Sequence, residues 1–325
     1  KFKKEKGIKA GSSGIYVFEG KFYRSDEALF AEAYQQLTPL EKGRHRKYKM
    51  ALRDDVSVQE VVAALQADPG VEYVGPNYIR YTSTNDAQYN SQWALPRINA
   101  PKAWELTGGS QDIIIAIIDT GVDYTHEDLA GNIWINGAEL NGNPGQDDDR
   151  NGYVDDIRGY DFVSVSSDSV YPGEDPGPRD NDPMDFDGHG THTSGIAAAV
   201  TNNGRGIAGV APHCKIMPLR AGYTGSDGYG YVSDYDTQFA MAYAIDNGAK
   251  VISMSFGASY VPYWYADEIE EAYAQNIVLV AAAGNDNTAV KFYPAAMDEV
   301  IAVTATDQND KRASFSNYGS WTDIA

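Results

Sequence analysis

Asp119 closes the apolar run IIIAIID, His189 opens the run HGTHTSGIAAAV, and Asn285 follows the run VLVAAAG. These three side chains suit one kind of chemistry. A carboxylate beside an imidazole fixes its tautomer and stabilises the imidazolium, while the imidazole takes a proton from a hydroxyl. A carboxamide can donate to an oxyanion as it develops. The glycines flanking His189 leave room for a large group to approach the ring. Two rivals share these residues or lie near them in sequence. His189 and His192, three apart, could mimic a zinc pair, although no H-E-x-x-H string occurs. The single cysteine, Cys214, could be a nucleophile or a small core residue.

Such groups must be held by a scaffold, and the pattern around them names one. The run at 112–123 is a continuous apolar strand ending in a turn, as in the centre of a parallel sheet. After it, HCKIMPLRA, KVISMSFG, IVLVAAAG and EVIAVTATD read as strands. HGTHTSGIAAAV, SDYDTQFAMAYAIDNG and DEIEEAYAQN read as helices between them. Strands alternating with helices predict a doubly wound, mostly parallel α/β sheet. Sites in such sheets gather at the carboxyl ends of the strands, where Asp119 and Asn285 stand.

Residues 1–81 read as a separate small α+β module. GIYVFEGKFY (14–23), RKYKMALR (46–53) and VEYVGPNYIRY (71–81) predict strands, and 57–70 predicts a helix. Ser57 with Glu60 forms its capping box and Asp68-Pro69-Gly70 stops it. Residues 1–12 read as loose, and 82–93 as a polar, exposed linker. Charge changes sign at the same place. Residues 1–80 hold 14 Lys/Arg against 11 Asp/Glu, whereas 81–325 hold 12 against 35, within a net charge of −20. A body this acidic is poorly matched to nucleic acid or an anionic membrane and well matched to cations. No apolar run is long enough to span a bilayer, no secretory leader is visible, and one cysteine excludes a disulfide framework.

GQDDDRNGYVDD (145–156) places Asp147, Asp149 and Asn151 at alternate positions before Gly152, like the first half of a calcium loop, with Asp155 or Asp156 as later ligands. Arg158 at the twelfth position departs from the EF-hand pattern.

The strings AIIDTGVDYTHEDL, DGHGTHTSGIAAAVTNN, GIAGVAP, GAKVISMSFG, VLVAAAGN and SFSNYG, in this order, resemble the subtilisin-like serine proteases. NDAQY and INAPKAW ahead of them lie nearest the thermitase branch. The resemblance covers 82–325, and 1–81 is similar to the family's inhibitor-type propeptide. It implies that Asp119 is the triad aspartate, His189 the general base and Asn285 the oxyanion-hole amide. It implies that Ser255, Phe256 and Gly257 pair with an extended polypeptide substrate, and that Ala283 and Gly284 help form the specificity pocket. It further implies a second calcium site from Asp86, Asp128 and Asn203, a secreted enzyme, and a propeptide acting as chaperone and inhibitor with its tail, 76–81, in the cleft.

One departure stands out. The family's nucleophile lies in a G-T-S-M-A motif, and that string is absent here. Ser314, Ser316 and Ser320 lack its turn and following helix, so none is assigned as nucleophile. The chain reads as a proenzyme stopping before the motif, nearly inert alone. The alternative is a naturally serine-less pseudoprotease that binds peptides.

Overall fold

The computed structural model describes the backbone of 15–20, 38–40, 47–51 and 71–76, helical residues 62, 63, 65 and 66, and every residue from 84 to 325. The chain divides into two compact units between Thr82 and Ser83. In the first, β1 (Ile15–Gly20), β2 (Thr38–Leu40), β3 (Lys47–Ala51) and β4 (Val71–Pro76) form an antiparallel sheet in the order β2-β3-β1-β4. Leu65, within the segment expected to be helical, is buried. The Ser57–Glu60 cap, the stop at 68–70, residues 1–12 and the tail at 77–81 lie outside the described residues.

The second unit is built on six parallel strands: β5 (Ile114–Asp119), β6 (Tyr160–Asp161), β7 (Lys215–Arg220), β10 (Val251–Met254), β11 (Val278–Ala282) and β12 (Val300–Val303). Their order is β12-β11-β10-β5-β7-β6. The expected doubly wound sheet is therefore present. The chain builds β7 and β6 on one side of β5 and β10 to β12 on the other, so β5 sits in the middle. This explains its sequence: a strand covered on both faces must be apolar on both, and five of its six residues are buried.

The helices of this unit are α1 (Ala94–Arg97), α2 (Ala100–Ala103), α3 (Gly137–Leu140), α4 (His189–Ala198), α5 (Asp234–Asp246) and α6 (Ala266–Ala274). Of these, α4 and α5 lie against β5 and β7, and α6 lies against β11. A large apolar cluster joins α5 and α6 to the sheet, including Met217, Leu219, Met241, Tyr243, Ile252 and Ile269. A second cluster holds Ile117, Leu129, Ala198 and Ile216, with Cys214 inside it. A short antiparallel ribbon, β8 (Gly222–Thr224) and β9 (Gly230–Val232), stands apart from the main sheet.

Residues 84–93 are not the free linker their polarity suggests. Asp86 is buried and accepts from the backbone N–H groups of Asn202 and Asn203 at 3.0 and 3.1 Å. Gln88 N–H donates to Gly206 O, and the Gln92 amide exchanges two hydrogen bonds with the Ala208 backbone. Polar side chains here satisfy loop backbone of the body, and composition alone cannot distinguish that from solvation.

Candidate active site

β5 stops at Asp119 because Thr120 and Gly121 turn away. Gly121 sits at φ +109, and a Cβ there would come within 2.6 Å of the Met184 carbonyl oxygen. Only glycine meets both conditions without strain. α4 then begins directly against this turn. A Cβ on Gly190 would lie 3.0 Å from Asp119 Cβ. The glycine following His189 therefore lets the helix start close enough for imidazole and carboxylate to meet.

They do meet. His189 Nδ1 lies 2.7 Å from Asp119 Oδ1. A carboxylate only accepts, so Nδ1 carries the proton and Nε2 is left to receive another. Asp119 is buried, and its Oδ1 also accepts the Thr120 N–H at 2.7 Å. The hydrogen bond to Asp119 raises the His189 pKa above its ordinary value. Partial burial opposes this, and the charges of Asp119, Asp187 and Asp185 reinforce it.

Nothing in the sequence singles out Asp185, yet it organises this corner. Its Oδ1 accepts from Thr120 Oγ1 and from the N–H groups of Asp187 and Gly188; its Oδ2 accepts from Thr191 N–H and Oγ1. One carboxylate thus ties the turn after β5 to the first turn of α4. Thr120 Oγ1 in turn accepts from Gly190 N–H at 3.0 Å. An aspartate among many in 180–187 offers no sequence signal for this role; only the fold shows which one faces the helix.

Asp119 and His189 form one wall of a cleft of about 790 Å³. Asn285, Ser255, Phe256, Gly257 and Gly284 line the same cleft. Asn285 is exposed, just beyond the end of β11. Among the described residues, the backbone groups of Ser255, Phe256 and Gly257 make no hydrogen bond. Gly257 packs against Phe292 and Tyr293 too tightly for any Cβ. Ala283 differs from the other expected pocket residues: it is buried, its N–H donates to Val303 O, and it does not reach the lining. Cys214 is buried away from the cleft and His192 is exposed. Neither joins a group of potential metal ligands among the described residues.

The acidic loop gathers differently from its spacing. Glu139, Asp149 and Asp156 each place an oxygen within 4.8 Å of the others. Burial raises the Asp156 pKa, with the Asp149 and Glu139 charges adding to it and hydrogen bonds from Tyr243 and Asn151 opposing. Three crowded oxygen donors suit a hard cation. Asp147 instead accepts from Asn151 and Gly152 N–H, Asp155 from Gly145 N–H, and Asn151 donates its side-chain amide to Asp149 and Asp156. Glu139, eight residues before Asp147 and on a different element, shows no spacing that sequence reading could use. At the other expected site the three residues are together: Asn203 Nδ2 donates to Asp128 Oδ1 at 2.7 Å, and its N–H donates to Asp86.

Comparisons with known proteins agree with this architecture. The subtilase family model matches residues 110–325. A thermophilic serine proteinase from Bacillus sp. strain AK1 is 40% identical over 271 residues, covering 82% of this chain and 57% of the relative. Thermitase from Thermoactinomyces vulgaris is 38% identical over 243 residues, covering 74% of this chain and 72% of the relative. Among solved structures, a protease from Pseudoalteromonas arctica superposes with a TM-score of 0.60 at 31% identity, over 75% of this chain and 72% of that one. The chain thus spans little more than half the length of the first of these relatives. With its expected sheet and its similarity to thermitase-type sequences, the chain belongs to the subtilase family.

Proposed function

We propose that this chain holds propeptide (1–81) and catalytic-domain (82–325) sequence of a secreted, calcium-stabilised serine endopeptidase in proenzyme form. The observation that carries this is the 2.7 Å Asp119–His189 pair on the wall of a cleft that also presents Asn285 and, among the described residues, backbone at 255–257 without hydrogen bonds. An extended polypeptide adds there as a strand, held by backbone groups. His189 Nε2 takes the proton of an attacking serine hydroxyl and returns it to the leaving amine. Asp119 orients the ring and stabilises the imidazolium, and the Asn285 amide donates to the tetrahedral oxyanion. That serine belongs to the G-T-S-M-A motif of the family, absent from this sequence.

Calcium suits Glu139, Asp149 and Asp156, whose donor set is oxygen only. Asp147, Asn151 and Asp155 frame that loop, and Asp86, Asp128 and Asn203 are the second candidate set. Bound there, the ion neutralises the clustered carboxylates. The first module carries a net positive charge and the second a net negative one, which favours the proposed inhibitor role of the first. Nucleic acid and membrane are not proposed as partners. No helix of the described residues is long and apolar enough to cross a membrane.

The test is processing of the full-length gene product near residue 81. Wild type should cleave itself there and His189→Ala should not; normal processing in that variant rejects the assignment.

A further inference from the structure

The lining of the cleft carries a charge that the proposed chemistry does not need. Besides Asp119 it includes Asp187, Asp234 and Asp286, and among the described residues no lysine or arginine lines it. The cleft is already a peptide site on the reading above. What the carboxylates add is selectivity.

Two of them are built into its walls. Asp187 accepts the His189 N–H through Oδ1 and the Thr224 hydroxyl through Oδ2 at 2.7 Å, which fixes its carboxylate. It faces β9 closely: a Cβ on Gly230 would stand 3.9 Å from Oδ2. Asp234, the first residue of α5, is half-buried, and among the described residues no cation pairs with it. Burial raises its pKa, and only the Tyr260 hydroxyl opposes this. A carboxylate partly out of water without a cation is stabilised by any ligand that brings one.

The remaining surface suits the same ligand. Tyr229, Tyr231 and Tyr260 line the cleft beside these carboxylates, and all three are well exposed. Aromatic faces next to carboxylates accommodate the stem and the charged head of lysine or arginine together.

We infer that the cleft selects polypeptide segments bearing lysine or arginine, and that Asp187 and Asp234 are its specificity-determining residues. This rests on the proposed peptidase function. A neutral or acidic segment leaves Asp234 unpaired and, if acidic, meets like charge at Asp187 and Asp234.

The test uses the full-length gene product and a set of internally quenched peptides. In these a single arginine, glutamine or glutamate is moved through an otherwise neutral sequence, and kcat/KM is read for each. At one or more positions arginine should exceed glutamine by about tenfold, the scale of one charge-assisted contact, with glutamate lower still. The ratio should fall toward unity in Asp187→Asn or Asp234→Asn, with melting curves checking that each variant is folded. In wild type it should shrink as ionic strength rises from about 0.05 to 0.5 M. Cleavage of all peptides at equal rates overturns the inference and leaves the peptidase reading intact. An arginine preference unchanged in both variants overturns the assignment of these residues. No cleavage of any peptide overturns both.

Discussion

A Cβ placed on Gly190 would stand 2.0 Å from the carbonyl oxygen of Gly121, closer than any two such atoms can approach. The helix bearing His189 and the turn that follows Asp119 are in contact at their glycines, and the 2.7 Å pair depends on that contact. Gly190→Ala should push α4 off the end of β5. We expect a loss of about 1–3 kcal/mol, the usual range for overpacking. We also expect a fall in turnover of about 10²-fold, as an angstrom of misplacement commonly produces. Thermal melts and kcat measured together check this; an active, equally stable variant contradicts it.

The His189 titration has a defined sign. Its pKa is raised, chiefly by the hydrogen bond to Asp119. The imidazole must be neutral to act as a base, so activity should fall as pH drops through a midpoint above the ordinary 6.5. Stability runs the other way. The pair stabilises the protonated ring, so its contribution is complete below the ordinary pKa and is lost as pH rises through the raised one. NMR titration of the ring should give the raised midpoint, and Asp119→Asn should lower it. A midpoint unmoved by that substitution contradicts the pairing.

Asp185 accepts five hydrogen bonds without touching the imidazole. Asp185→Ala leaves the Thr120 and Thr191 hydroxyls and three backbone N–H groups without their partner. We expect a loss of roughly 1–3 kcal/mol or more and a fall in kcat larger than the change in KM, because the residue positions the base and does not bind substrate. Asp185→Asn, which keeps an acceptor oxygen, should recover part of both.

A chelator should lower the melting temperature. A ligand at about 100 times its Kd contributes about 2.7 kcal/mol, which corresponds to several degrees in a domain of this size. Glu139→Gln should reduce the shift, because Glu139 supplies one of the three converging oxygens. A melting curve indifferent to excess chelator counts against calcium at either site.

Sequence pattern revealed the sheet and the residues that meet at its edge because each depends on local order. The run ending at Asp119 is apolar on every residue since both faces are covered, and the HGTH string carries its glycines beside the histidine. Where a role depends on what faces what across the fold, pattern failed. Glu139 joins Asp149 and Asp156 only after α3 folds beside their loop. Asp185 is distinguished from Asp182 and Asp187 only by its partners. The β8–β9 ribbon, three residues in each strand and rich in glycine, is too short for periodicity to register. Ala283 follows β11 and continues its ladder to Val303, so its side chain goes to the core while Gly284 reaches the cleft.

On the proposed function, His189, oriented by Asp119, activates a serine hydroxyl in this cleft. Covalent labelling of the full-length gene product with a serine-directed phosphonate tests it most directly. Wild type should be labelled quickly at one serine, while His189→Ala, though folded, should be labelled slower by about 10³-fold or more. Equal labelling of the two proteins, or none of the wild type, contradicts the account.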